Sequence, residues 1–383
     1  MANTLKFGNG EWYGKKDTIL AYNDENSNYK PLPFNFSRAS KATVVNKDGL
    51  IEEVGSGQPR IDYKDNSKGA LLLEPQRSNL AIQSSIENMT GSSSNTGVVE
   101  FGNLNNGLES AEITVNGQRQ WYFSTANIVS GTEYTVSFYV DSFDLSSSIR
   151  PIFYIPTEGT NGVSSIYGSQ IVLGRNEKTF TATANGSQFR IGLGTSSNDT
   201  GSIKIGAVQI EEGSYPTSAI FTSGSAVTRV ADSCSQTVPD GVIGQTEGVL
   251  YAELGSIPSE AIDDVFIELS DGTSNNRILF YADSNSYIRN QIKASGSISS
   301  LINTNVTVSS NMKIAITYKS NEAKVFINGV QYGGTDTSVV VPSVNKMNLE
   351  NYTGARSQTS TLKDVKLYNT ALTDSELAAL TQV

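Results

Sequence analysis

The feature that most restricts the fold is a period-two alternation of apolar residues in short runs, each closed by a turn. In "YTVSFYV" Tyr134, Val136, Phe138 and Val140 fall on one side, with Thr135, Ser137 and Tyr139 on the other. Successive side chains of a strand point to opposite faces, so such a run is a β-strand with one apolar face. The inward set of "QFRIGLG" is Phe189, Ile191 and Leu193. In "MKIAITYK" it is Met312, Ile314, Ile316 and Tyr318, with Lys313, Thr317 and Lys319 opposite. These runs are expected to be sandwich strands, one face on a core and the other wet.

The turns agree. In "AKVFINGVQYG" Asn328-Gly329 separates two β-rich runs, and a type I′ turn needs positive φ at both central positions. "KATVVNKDGLIEEV" carries a four-residue Asn-Lys-Asp-Gly connection between Val45 and Leu50, also fit for a hairpin. In "SIKIGAVQIEEG" the apolar phase slips from Ile203, Ile205 and Ala207 to Val208 and Ile210, which a β-bulge explains. One helix is expected: in "NTALTDSELAAL" Thr373 caps a first turn that holds Glu376, and Leu372, Leu377 and Leu380 form the apolar stripe. It is barely two turns long.

The fold class is therefore mainly β. A length of 383 residues suggests two or three domains, and three is the working number. Polar stretches at "NMTGSSSNTG" (88–97) and "TSGSAVTRVADSCSQTVPDG" (222–241) place the boundaries. The expected parts are an N-terminal β-rich segment (1–90), a β jelly roll (91–225), a linker (226–244) and a β-sandwich (245–383).

Charge narrows the partners. The net charge is −10, but residues 1–85 carry 11 basic and 10 acidic side chains, and the remainder 17 and 28. An acidic body without clustered Lys and Arg argues against nucleic acid or an anionic membrane as partner. The single cysteine, Cys234, excludes an internal disulfide framework and is expected to be an inert small residue. "MANTLKFGNGEW" has no signal-peptide core and no run reaches the roughly 20 apolar residues of a membrane helix, so a soluble protein made without export is expected.

There is no histidine, which removes Ser-His-Asp and Cys-His catalysis and histidine metal sites. Two carboxylates suffice for a glycosidase, but the adjacent Glu211 and Glu212 of "IEEG" point to opposite faces and suit a solvated edge. No Gly-rich phosphate loop stands between a strand and a helix. The chain is expected not to be an enzyme and to need no cofactor.

Three stretches carry resemblances. "FNFSRASKATVVNKDGLIEEV", "QPRIDY" and "GALLLEPQRSNL", over about residues 30–85, resemble the N-terminal segment of bacteriophage virion proteins, especially head- and tail-fibre proteins of phages of gut Bacteroidetes, including crAss-like ones. The resemblance implies an attachment or trimer-assembly segment. Leu71, Leu72 and Leu73 would form a buried strand ended by Pro75, and Arg38, Arg60 and Arg77 would pair with Glu74 or with carbonyls that irregular backbone leaves unpaired. An ordinary core with surface charges is the plainer alternative for these four residues.

"IGAVQIEEGSYPTSAIFTSGSAVTRVAD" is similar to the last strand and exit loop of carbohydrate-binding-module-like jelly rolls, over about 95–222. Sugar-binding members use exposed rings, and Trp121, Tyr122, Tyr154 and Tyr167 are available, although core packing is the expected role of each. "AKVFINGVQYG" and "STLKDVKLYNTALTDSELAAL" resemble the laminin-G/concanavalin-A-like sandwich over roughly 245–383, without the Glu-x-Asp-x-x-Glu string of its sugar-cleaving relatives. Asp271, Asn275 and Asn276 of "SDGTSNN" are oxygen donors of the kind calcium takes, but an ordinary solvated turn is expected and no metal site is assigned.

Taken together these resemblances imply a structural virion protein, located on the virion and homotrimeric. It would contact capsid or tail proteins through its N-terminal segment and display domains towards cell-surface or mucosal glycans, where linked weak sites gain avidity. The alternatives are a polysaccharide depolymerase of a tail spike, a ligand-free spacer and, last, a bacterial adhesin.

Overall fold

The computed structural model describes residues 3–25, 28–91, 97–117, 120–145, 151–157, 160–193, 200–257, 264–350 and 359–383. The chain forms two compact units, one of residues 1–48, 54–76 and 230–383, the other of 49–53 and 77–229. The second is thus inserted in the sequence of the first. Half of the polar stretch 88–97, where one boundary was expected, lies outside the described residues, at 92–96.

The first unit consists of two antiparallel ladders that share one core. One runs through Val330–Asp336, Glu322–Ile327, Lys313–Lys319, Glu247–Leu254 and Ser360–Tyr368. Both Leu5–Gly8 and Ala70–Leu73 pair with that last strand. The other runs from Ser297–Thr307 through Tyr287–Ala294, Arg277–Ala282, Asp264–Ser270, Lys346–Asn348 and Ser233–Thr237 to Asn28–Ser37 and Thr18–Glu25.

The N-terminal part, expected as a separate segment of residues 1–90, is therefore largely woven into the C-terminal sandwich. Its reason is visible in the core. Leu5, Phe7, Ile19, Phe34, Phe36, Leu71 and Leu73 pack in one cluster with Leu250, Phe266, Ile316 and Leu367. Each fully buried side chain of this kind contributes about 1.5–3 kcal/mol relative to exposure, which no free-standing segment of this size would collect alone. The strand at Leu71, Leu72 and Leu73 forms as expected and ends before Pro75.

The expected linker is also structured. Residues 226–244 contain the strands Val227–Arg229 and Ser233–Thr237, and Arg229, Asp232 and Cys234 are buried. Few apolar residues mark this stretch because it is held by polar side chains described below.

The wet second face expected of "MKIAITYK" is covered at Ala315 and Thr317, while Lys313 and Lys319 stay partly exposed. The helix Asp374–Thr381 and its approach bring Leu372 and Leu377 onto Ala315, Phe326, Val249 and Tyr251. Its capping box forms, with the Glu376 amide donating to the Thr373 hydroxyl and the Thr373 amide donating to the Glu376 carboxylate at 2.8 Å. The Asn328-Gly329 hairpin has φ of 48° and 86°, the positive pair that a type I′ turn requires.

The second unit is a sandwich of two five-stranded antiparallel sheets. Thr90–Gly91, Gln120–Ile128, Gly186–Leu193, Pro151–Thr157 and Thr160–Tyr167 form one; Val98–Asn103, Glu109–Asn116, Thr200–Glu212, Glu133–Leu145 and Gly174–Thr181 form the other. Their inner faces meet in a core that includes Tyr134, Val136, Phe138, Phe153, Phe189, Ile191, Ile203 and Ile205. The bulge expected in "SIKIGAVQIEEG" is present: Ala207 has φ 54°, and the pairing with the neighbouring strand shifts between Ser137 and Tyr139.

Glu211 departs from the solvated edge expected of it. Its strand is central, and the carboxylate is fully buried, accepting from the Thr217 amide (2.9 Å), the Thr217 hydroxyl and Gln209 Nε2 (2.6 Å). Glu212, on the opposite face, is exposed.

Candidate functional site

On the strand Gln120–Ile128 the alternation sends Tyr122, Ala126 and Ile128 into the core and leaves Trp121, Phe123 and Thr125 outward. On the neighbouring strand Phe189, Ile191 and Leu193 go inward, which puts Gln188 and Arg190 outward. Registration then builds a row straight across the sheet. Thr90 lies opposite Phe123, Phe123 opposite Arg190, Arg190 opposite Tyr154 and Tyr154 opposite Ser165.

Arg190 is held between two rings. Its guanidinium carbon is 4.9 Å from the Phe123 centroid and 5.2 Å from that of Tyr154, and its Nη1 donates to the Tyr154 hydroxyl. A cation over a ring face gains about 0.5–2 kcal/mol, more as water is excluded. Trp121 meets Tyr154 edge-on at 5.2 Å and 84°. Opposite Trp121 stands Gly192, where a Cβ would lie 2.1 Å from the Gln120 carbonyl oxygen.

Beside the row is an open cleft of about 530 Å³, lined by Gln83, Asn88, Thr90, Phe123, Thr125 and Gln188 among others. Gln83 Oε1 and Ser124 Oγ, also at this cleft, are buried and have no protein hydrogen-bond partner. Amides and hydroxyls around a ring, with a cation against that ring, match a polyhydroxylated ligand: apolar C–H faces stack on the ring and hydroxyls meet the polar groups.

The four aromatic candidates separate. Tyr122 is a core residue, as expected; Trp121 is almost fully covered but packs on the outer face. Tyr154 is half-buried in the row, and Tyr167 is 39% exposed. Phe123, Gln188 and Arg190 were missed, although the inward set of "QFRIGLG" already sends Gln188 and Arg190 outward.

Arg38, Arg60 and Glu74 are brought together, and fully buried, in the first unit. The residue that joins them is Asp232, which no motif singled out. Its Oδ1 accepts from Arg38 Nη1 at 3.1 Å, while its Oδ2 accepts from Arg60 Nη2 and from the Glu74 amide at 2.9 Å. Arg60 Nη1 donates to Glu74 Oε2 and to the Thr43 carbonyl, and Arg38 donates to the carbonyls of Ser40, Gln58 and Gly55.

The network balances two positive against two negative groups. Burial alone would lower the Arg60 pKa, but Asp232 and Glu74 hold it above its ordinary value. Arg77 lies in the second unit opposite Arg229, with its guanidinium carbon 5.3 Å from the Tyr215 centroid.

Glu268 is another buried acid of the first unit. Its Oε1 accepts from Asn348 Nδ2 at 3.2 Å, and its Oε2, 3.8 Å from Arg277 Nη1, has no hydrogen-bond partner. Burial pushes this carboxyl up to about 7 against the opposing pull of Arg277. Asp271 is committed to its own turn, its oxygens taking the Thr273 amide at 2.8 Å, the Thr273 hydroxyl at 2.6 Å and Asn276 Nδ2 at 2.8 Å. Among the described residues no group of three or more Asp, Glu or Cys is placed to hold a metal ion.

Residues 256–378 match the Laminin_G_3 family model, of the concanavalin A-like lectin/glucanases superfamily. This region is a concanavalin A-like domain. In the structure it is completed by strands from residues 1–76 and 230–255. No curated protein matches the chain.

Among solved structures, the chain is similar to the CBM40 of Ruminococcus gnavus IT-sialidase bound to α2,3-sialyllactose (15% identity, 36% of this chain and 84% of that one, TM-score 0.31). It is also similar to domain 4 of AbnA, a GH43 extracellular arabinanase from Geobacillus stearothermophilus, in complex with arabinotriose (18%, 40% and 73%, 0.30). A third is Trypanosoma rangeli sialidase (10%, 95% and 65%, 0.31). These superpositions are loose, and none assigns a ligand to this chain.

Proposed function

We propose that the protein is a non-catalytic, glycan-binding component of a bacteriophage virion, a head or tail fibre that holds β domains towards cell-surface or mucosal polysaccharides. The observation that carries the glycan reading is the Phe123–Arg190–Tyr154 row beside a cleft of amides and hydroxyls. The concanavalin A-like domain over residues 256–378 supports it from a second part of the chain. Support for the virion setting comes from the sequence pattern of residues 30–85.

On this reading the chain is a homotrimer, attached to capsid or tail proteins through its N-terminal part, and gains avidity from several weak sites. Proteomics of purified virions tests the setting, and light scattering in solution tests the trimer. A screen of the full-length protein against host polysaccharides tests the glycan reading. Release of reducing ends or unsaturated sugars in that screen would replace it with a depolymerase.

A further inference from the structure

We propose that Arg190 makes the outer face of the second unit selective for acidic glycans, its guanidinium receiving the carboxylate of a sugar acid. This rests on the glycan reading and adds the ligand's charge.

The case starts from what Arg190 does not do. Arg38 and Arg60 are neutralised by Asp232 and Glu74, Arg289 pairs with Asp283 at 2.6 Å, and Arg277 stands 3.8 Å from Glu268. Among the described residues Arg190 has no carboxylate partner, and its single hydrogen bond goes to the Tyr154 hydroxyl. A guanidinium carries five N–H donors, and the Arg190 Nε is buried with no partner. Arg190 is half-buried with no counter-charge beside it, so the position favours an anion arriving from outside.

Its setting fits that role. Phe123 and Tyr154 flank the guanidinium on either side and fix it in register with the neighbouring strands, so little side-chain freedom is lost when a ligand binds. A planar fork of parallel N–H groups matches a carboxylate better than a point charge does. Phe123 also lines the cleft, so a sugar whose hydroxyls meet Gln83, Asn88, Thr125 and Gln188 lies next to the charge. The chain as a whole carries −10, so attraction of an anionic polymer has to come from a local site of this kind.

The test is calorimetric titration of the full-length protein with oligogalacturonate and hyaluronan oligosaccharides, with the same sugars after carboxyl reduction, and with a sulfated oligosaccharide lacking carboxylates. The expected result is binding to at least one carboxylated sugar, about tenfold or more weaker after reduction and on the sulfated probe. Arg190→Gln should erase the preference, so that the native and reduced sugars bind the variant alike.

Equal wild-type affinity for native and reduced sugars overturns the inference while leaving glycan binding intact. A preference that survives Arg190→Gln, or equal binding of the sulfated probe, also overturns it. No binding to any of these sugars also overturns the inference, and the screen of host polysaccharides then decides the glycan reading separately. The wild-type comparison stands even if the variant does not fold.

Discussion

Arg60 and Asp232 form a buried ion pair although 172 positions separate them in the chain. Between them in sequence lie residues 77–229, which with 49–53 make up the second unit. Glu74 completes the arrangement, for its carbonyl accepts from the Asp232 amide at 2.9 Å and its own amide donates to the Asp232 carboxylate. The point where the chain leaves the first unit is thereby tied to the point where it returns.

Removing Asp232 should be expensive. Asp232→Ala leaves two buried arginines sharing one carboxylate, and breaking such a pair costs about 3–5 kcal/mol. Urea unfolding followed by tryptophan fluorescence should show a transition lowered by that order. Breaking the more exposed Lys319–Glu322 pair with Glu322→Gln should change it by only about 0.5 kcal/mol.

The same tie makes the insertion dispensable to the first unit. Deleting residues 77–229 and joining Gln76 to Val230 through a short Gly-Ser bridge should leave a soluble β protein with a cooperative thermal transition, because both sides of the junction are held by Glu74 and Asp232. An aggregated or non-cooperative product would show that the first unit does not fold alone.

Glu268 gives a pH dependence of defined sign. Its carboxyl is raised from the ordinary 4.5 to about 7, so between these values the folded form holds a proton that the unfolded chain has lost. Stability contributed at this site is therefore complete below pH 4.5 and is lost as pH rises to about 7, a change of about 3 kcal/mol. Asp62 and Asp364 are also raised by burial and act in the same direction. Glu268→Gln should flatten the slope in that window without abolishing it, and should be the more stable protein at pH 8 by denaturant midpoint.

Gly192 should tolerate no side chain. A Cβ would sit 2.1 Å from the Gln120 carbonyl oxygen and 3.0 Å from the Trp121 Cα, both backbone atoms that cannot step aside. Gly192→Ala should lower the stability of the second unit by on the order of 2 kcal/mol, read as an earlier thermal transition.

Much of this was legible in the residues. Alternation placed Tyr134, Val136, Phe138, Phe189, Ile191 and Ile316 in cores, the slip at Ala207 announced the bulge, and Thr373 with Glu376 announced the helix cap. Each of these signals is local and acts over a few residues. What escaped is what depends on pairing between distant segments. Nothing in "RVADSCSQ" reveals that Asp232 serves arginines at 38 and 60, and a strand such as Leu71–Leu73 does not declare that its partner is Ser360–Leu362.

The candidate site lies between these cases. Period two turns Phe123 and Arg190 outward, but only the register between their strands sets one beside the other. Glu211 shows the converse, since its outward direction was readable while its burial by Thr217 and Gln209 was not.

The central claim is that the second unit grips polysaccharide through its outer sheet face and leaves the polymer intact. Its most direct test is retention of full-length wild-type and Phe123→Ala protein on immobilised host-surface polysaccharides, with reducing ends assayed in the same samples. Retention of the wild type on at least one polysaccharide, loss of retention in Phe123→Ala and no new reducing ends are the results expected. Shortened polymer, or retention indifferent to Phe123, would contradict the account.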